Sequence, residues 1–279
     1  MRFRQYGWSG LSLGSRMPGL RTKFGIVFHT EGLINNRIVG ELMSLGRELR
    51  DIRPILTVIS PKCPMYQIDP QSRPLRTGFP AKKPTTSVER DFKNKIQILS
   101  SYYDIGYHGH FFSRTNDHFR LTFDQATIAR QFELEYRFLA ETGFSPLAYA
   151  GGWWHMTPHL ARLMQSYGFR LDTTINDIRR DSFGRIQSYP KTPLGQPFRI
   201  ERDIVEVPTI RLDSNLLNLL TSSRGLQKFA IFSLHDYNLL ASSFSTAVAK
   251  IVVKLMQHDR IVGIPELLSI RLPIDVSQG

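Results

Sequence analysis

The residues best suited to chemistry stand just past short apolar runs. Residues 24–28 lead into His29, Thr30, Glu31 and Gly32; residues 104–107 lead into His108, Gly109 and His110; residues 229–234 lead into His235 and Asp236. A fourth run, 146–150, passes through Tyr149 into Gly151, Gly152 and Trp153, and a fifth, 169–174, contains Asp172. Imidazoles and carboxylates bind metals or move protons near neutral pH. Brought to one surface from distant parts of a chain, they mark a metal or acid/base site. The paired glycines would let backbone approach a substrate closely, or form an ordinary tight turn.

Positioning these residues requires strands whose ends share one mouth. The apolar runs 24–29, 54–59, 104–108, 146–150, 169–174, 204–208 and 229–234 read as buried strands, with a last short strand over 261–264. Between them lie helical patterns. Ile38, Val39, Leu42, Leu45 and Leu49 recur at helical spacing over 35–50, and further helices are expected over 88–101, 122–142, 157–167, 214–227 and 243–258. Strands alternating with helices imply parallel βαβ units. In a parallel α/β barrel, the ends of the strands carry the chemistry. Residues 60–87 hold six prolines and are expected to form an irregular loop, and 176–203 to form an excursion from the barrel.

The chain has 279 residues, and one α/β barrel commonly uses about 200–300. The expected organisation is an N-terminal arm over 1–22 and a single barrel over 23–279. The lone cysteine, Cys63, excludes an internal disulfide. The start of the chain lacks the apolar stretch of a signal peptide, and no run is long enough to span a membrane, so a cytoplasmic protein is expected. The formal charge of +12 is spread along the chain. It is either an ordinary basic surface or an attraction for an anionic partner: a nucleotide-linked or lipid-linked sugar, or an anionic membrane face. No zinc-finger, helix-turn-helix or RNA-recognition pattern occurs, so specific nucleic-acid binding is not expected. Nothing in the pattern specifies an oligomeric state.

The ordered motifs resemble those of the polysaccharide deacetylase family, over roughly residues 24–265. The stretch 28–32 is similar to that family's Thr-Phe-Asp-Asp-Gly. Asp104-Ile105-Gly106-Tyr107-His108 matches the lead-in and first histidine of its His-x-x-x-His motif. Tyr149-Ala150-Gly151-Gly152-Trp153 is similar to the Arg-Ala-Gly-Gly-Trp of the capsule and O-antigen subgroup. Leu234-His235-Asp236 resembles its Leu-His motif.

The resemblance implies a distorted or incomplete (β/α)7–8 barrel and a metal-dependent hydrolase that removes acetyl groups from a surface-polysaccharide or O-antigen precursor sugar. It implies a divalent metal, often zinc, held by one carboxylate and two histidines, with Glu31 and His108 as ligands and His235 as general acid. It places Tyr149, Gly151, Gly152 and Trp153 against the substrate. Phe112 stands where the second histidine is expected. His110, two residues after His108, faces the same way in an extended segment and is the expected replacement ligand. Thr30 stands at the general base, a role its hydroxyl cannot fill. The base is then expected at Asp172 or Asp236, or the chain is an impaired relative that binds carbohydrate without cleaving it.

Overall fold

The first strand, β1 (Lys23–Thr30), shows how the sheet is built: its side chains alternate between two buried faces. Val27 joins Ile55, Ala148, Leu171, Val205 and Ile231 in one apolar cluster, each from a different strand. Ile26 and Phe28 join the larger cluster that includes the helices. A sheet buried on both faces explains why the strands read as continuous apolar runs. The computed structural model describes residues 23–49, 53–67, 79–80, 85–115, 118–175, 197–211, 229–240 and 264–268.

The main sheet contains β1, β2 (Ile55–Val58), β4 (Asp104–Gly109), β7 (Ala148–Gly151), β8 (Leu171–Asp172), β9 (Phe198–Glu201), β10 (Ile204–Glu206), β11 (Thr209–Arg211) and β12 (Phe229–His235). Their order is β11-β12-β1-β2-β4-β7-β8-β10-β9, with every pairing parallel except β10 with β9. The two sides of this order meet in one segment. β10 pairs with β8, β11 pairs with β12, and only Val207 and Pro208 separate them. Residues 204–211 therefore bridge the sheet's two sides, and seven strand positions surround the Val27 cluster. Pro208 has no N–H to donate and divides the bridging segment into two ladders. The expected α/β barrel is present in this distorted form.

The helices α1 (Asn36–Glu48), α2 (Thr86–Leu99), α3 (Gln125–Glu141) and α4 (Pro158–Ser166) follow β1, the 60–85 connection, β6 (His118–Leu121) and β7. Each starts at a side-chain cap: Asn35, Thr85, Asp124 and Thr157 accept from backbone N–H groups of the first turn. The short helix α5 (Ile264–Leu268) puts Ile264 and Leu267 against the Val27 cluster. Here the sequence expectation needs correcting. Ile264 opens a helical turn rather than ending a strand, and Pro265 suits that first turn because its missing N–H is not needed there.

Three features were not expected from the sequence. A small antiparallel sheet joins β3 (Phe79–Pro80), β6 (His118–Leu121) and β5 (Phe112–Thr115). β9 adds an antiparallel edge to the barrel. The segment after Pro208 resumes as β11. The expected arm over 1–22 and the helices over 214–227 and 243–258 lie outside the described residues. No helix among the described residues is long and apolar enough to cross a membrane.

Candidate metal centre

The layer above the Val27 cluster is polar. His29 and His235 are register partners on β1 and β12, so both side chains enter the barrel on the same rung. His108 lies on the inner face of β4, opposite in sense to Tyr107 on the same strand. The result is a row of four imidazoles. His110 meets His108 edge to face at 4.5 Å, His108 stacks on His29 at 4.9 Å, and His29 meets His235 edge to face at 5.2 Å. His29 is fully buried. Burial, together with the neighbouring His108 and His235, holds its pKa well below the usual histidine value despite the opposing pull of Glu31. It is a neutral ring.

Glu31, His108 and His110 converge at one end of this row. His110 Nε2 lies 2.9 Å and His108 Nε2 3.3 Å from Glu31 Oε1, and the two Nε2 atoms are 3.0 Å apart. All three residues are buried. His108 Nδ1 is 2.9 Å from the carbonyl of Ala150, so Nδ1 carries the proton and Nε2 presents its lone pair to the cluster. Two imidazoles and a carboxylate are a donor set for zinc and similar divalent cations. With metal bonds of about 2.0–2.1 Å, tetrahedral ligands sit about 3.3 Å apart. The spacings here are close to that, and the three residues form a group of metal-ligating type and size.

The backbone around the cluster is held from several sides. Asp236 accepts from Glu31 N at 3.1 Å, Gly32 N at 2.7 Å and Tyr237 N at 2.8 Å, tying the end of β12 to the end of β1. Lys95 on α2 donates to the Leu33 carbonyl at 2.9 Å while paired with Asp91, anchoring the segment that follows Glu31. On the other side, residues 152–154 turn beneath His110. A Cβ on Gly152 would fall 2.4 Å from His110 Cε1 and Nδ1, and one on Gly151 would fall 2.3 Å from the His155 carbonyl. The two glycines thus give way to the chain's own atoms. Trp153 and Trp154 both take left-handed backbone, with φ of 53° and 55°. Such conformations cost roughly 1–2 kcal/mol each for non-glycine residues. Ring packing holds them: Trp153 lies 4.3 Å from His110 and 5.5 Å from Phe112, and Trp154 5.7 Å from His235.

Of the residues expected at the mouth, Glu31, His108 and His110 meet directly, and His235 joins them through His29. Trp153 packs on His110. Tyr149 does not come to the mouth. It is fully buried on the outer face of the sheet, among Tyr107, Phe132 and Phe169. Asp172, its register partner on β8, shares that face. Asp172 accepts from the hydroxyl of Thr174 at 2.6 Å and shares a side-chain hydrogen bond with Glu206, its partner on β10. Two carboxyls can bond this way only if one keeps its proton, and burial pushes the Asp172 pKa up. Thr174 in turn accepts from Gly151 N at 2.6 Å, so Asp172 supports the glycine turn from behind. Asp236 is wholly buried and bonded to backbone. Thr30 is likewise buried. Arg179, Arg180 and Arg185, basic residues of the expected excursion over 176–203, lie outside the described residues.

Sequence reasoning did not single out Gln131, Glu135 or Lys95. The available signal was polar residues at helix positions that should be apolar: Gln131 and Glu135 share the face of α3 that carries Ile128, Phe132, Phe138 and Leu139. A cavity of about 300 Å³ lined by Arg53, Tyr103, Asp104, Leu147 and Ile264 lies at the opposite end of the strands and contains no histidine.

No protein-family model matches the chain, and no curated protein matches it. Solved structures do share its fold. A crystal structure described as a polysaccharide deacetylase from Mycobacterium smegmatis superposes with a TM-score of 0.56 at 13% identity, covering 90% of each chain. The 4-alpha-glucanotransferase of Thermococcus litoralis superposes with a TM-score of 0.52 at 10% identity, over 91% of this chain and 39% of its own. The chain has the deacetylase-like (β/α) barrel fold.

Proposed function

We propose that this chain is a metal-dependent hydrolase that removes acetyl groups from a sugar, the substrate being a precursor of a surface polysaccharide or O-antigen. The observation that carries the reading is the meeting of Glu31, His108 and His110 at the mouth of a barrel of the deacetylase type. Glu31, His108 and His110 would hold one divalent cation, zinc fitting the donor set best. Such a cation, when bound, polarises an acetyl carbonyl and favours ionisation of water.

The chain's own residues would do the rest. Asp236 and Lys95 fix the backbone that carries Glu31, and the Ala150 carbonyl orients His108. His235 is part-exposed on the inner face. In this scheme its imidazole takes the proton of the attacking water as the carbon–oxygen bond forms. It then returns that proton to the departing sugar nitrogen or oxygen as the acetyl bond breaks, leaving acetate and the free amine or hydroxyl. Neutral His29 packs edge-on against this ring and supports its orientation. Trp153 and the basic surface suit a sugar carrying an anionic nucleotide or lipid diphosphate.

A second reading has a specific basis. Thr30 stands where the base is expected, Asp172 lies on the outer face, and Asp236 is bonded to backbone. No carboxylate among these is placed to accept a proton, which favours a chain that binds acetylated sugar without cleaving it. Incubation of zinc-loaded protein with acetylated nucleotide sugars, followed by an acetate assay, separates the two. The hydrolase reading expects acetate release that is lost in His108→Ala and strongly reduced in His235→Ala. Sugar binding without release of acetate would support the second reading.

A further inference from the structure

His110 stands two residues beyond His108, and it reaches the cluster only if residues 108–112 stay extended. β4 stops at Gly109 and β5 starts at Phe112; the Phe111 carbonyl accepts from Thr122 N at 3.1 Å, while the His110 carbonyl and the Phe112 N–H are met by a side chain. That side chain is Gln131, from α3. Its Oε1 accepts from Phe112 N at 2.7 Å, and its Nε2 donates to the His110 carbonyl at 3.1 Å. One side-chain amide thus pairs with the donor of one residue and the acceptor of another two positions away, as a neighbouring strand would.

The amide has one workable orientation. Phe112 N–H needs an acceptor, and the His110 carbonyl needs a donor. The second Nε2 hydrogen goes to Glu135 Oε1 at 2.9 Å, one turn along the helix. Glu135 is fully buried and also accepts from the Tyr107 hydroxyl at 3.0 Å. The Cys63 thiol adds a second, weaker donor to the His110 carbonyl at 3.4 Å. A helix that buries a glutamine and a glutamate on its apolar face loses desolvation energy unless each polar atom is used. Here they are used on the backbone of one proposed ligand, His110, on that of Phe112, and on the hydroxyl of Tyr107, the residue preceding the other histidine.

We propose that Gln131 is a positioning residue for His110, and that Glu135 sets its amide orientation, so that the pair supplies through backbone contacts what allows two histidines at i and i+2 to share one cation. The inference rests on the metal-site reading above.

Cobalt(II) is the probe, because its visible absorption reports ligand number and type. Wild-type protein, Gln131→Met, Gln131→Glu, Glu135→Gln, His110→Ala and the double variant His110→Ala/Gln131→Met are titrated with cobalt, with thermal midpoints measured in parallel. Gln131→Met and Gln131→Glu should weaken cobalt binding about 10- to 100-fold and give the spectrum of His110→Ala. Glu135→Gln keeps one acceptor oxygen toward Gln131 and should weaken cobalt binding, but less than the Gln131 variants do. In the His110→Ala background, Gln131→Met should cost nothing further. Should Gln131→Met not fold, the isosteric Gln131→Glu gives the same comparison. Wild-type spectrum and affinity in folded Gln131 variants would overturn this inference and leave the metal site standing. A wild-type chain that takes up no cobalt would overturn both.

Discussion

The imidazole of His110 lies directly on Gly152: a Cβ there would sit 2.4 Å from the ring. A contact that close explains why residue 152 must lack a side chain, and it links the turn after β7 to the cluster at the end of β4. Gly152→Ala should displace the His110 ring. The expected result is zinc affinity reduced at least about 10-fold, with a stability loss of about 1–3 kcal/mol from overpacking. Isothermal titration and urea unfolding check the two effects separately.

His108 and His235 belong to different tasks in this account, and their variants should behave differently. His108→Ala should lose both metal and acetate release. His235→Ala should keep its metal while acetate release falls about 10²- to 10⁴-fold, the usual worth of a positioned acid/base group. Metal analysis of each purified variant beside the acetate assay makes the distinction. Loss of metal in His235→Ala would place that residue among the ligands.

Asp236 accepts from three backbone N–H groups, two of them at Glu31 and Gly32. Asp236→Ala should therefore destabilise the fold by about 1–3 kcal/mol or more, since buried donors lose a charged acceptor. It should also weaken zinc binding through Glu31. Asp236→Asn keeps one acceptor oxygen and should fall between the two. Urea unfolding of metal-free protein isolates the structural part.

Burial pushes the Glu135 pKa from 4.5 up to about 8, against the pull of its hydrogen bonds from Gln131 and Tyr107. The native state therefore keeps a proton that the unfolded chain releases above about pH 4.5. Stability from this group falls as pH rises from 4.5 to about 8 and levels off above that, by at most ~1.4 kcal/mol per pH unit. Glu135→Gln cannot titrate, so its stability should gain on wild type across this window. Urea unfolding of both metal-free proteins at pH 5.5 and 8.5 checks the sign. A parallel pH dependence would show that Glu135 does not carry a shifted proton.

Much of the barrel was legible because its strands are buried on both faces and its helices carry caps and an apolar stripe. β1, β4 and β12 each end one residue beyond the expected run, and Glu31, His108 and His110 come together there. The i and i+2 relation of the histidines was readable from strand geometry alone. Tyr149 and Asp172 were harder. A run buried on both faces does not show which side each residue takes, so an inward reading was available for both. The strand β6 alternates polar and apolar residues, His118-Phe119-Arg120-Leu121, so its strand signal was present in the sequence and was passed over. Gly151 and Gly152 announced a close approach but not its partner, which is another part of the same chain. Gln131 and Glu135 act across a distance in sequence that periodicity does not cover.

The central claim is that Glu31, His108 and His110 hold one divalent metal. Its most direct test is the zinc content, after exhaustive dialysis, of zinc-loaded wild-type protein and of His110→Ala, which lacks one of the three proposed ligands. The account predicts about one zinc per wild-type chain and a marked loss in the variant. Absence of zinc from the wild type, or equal zinc in both proteins, would contradict it.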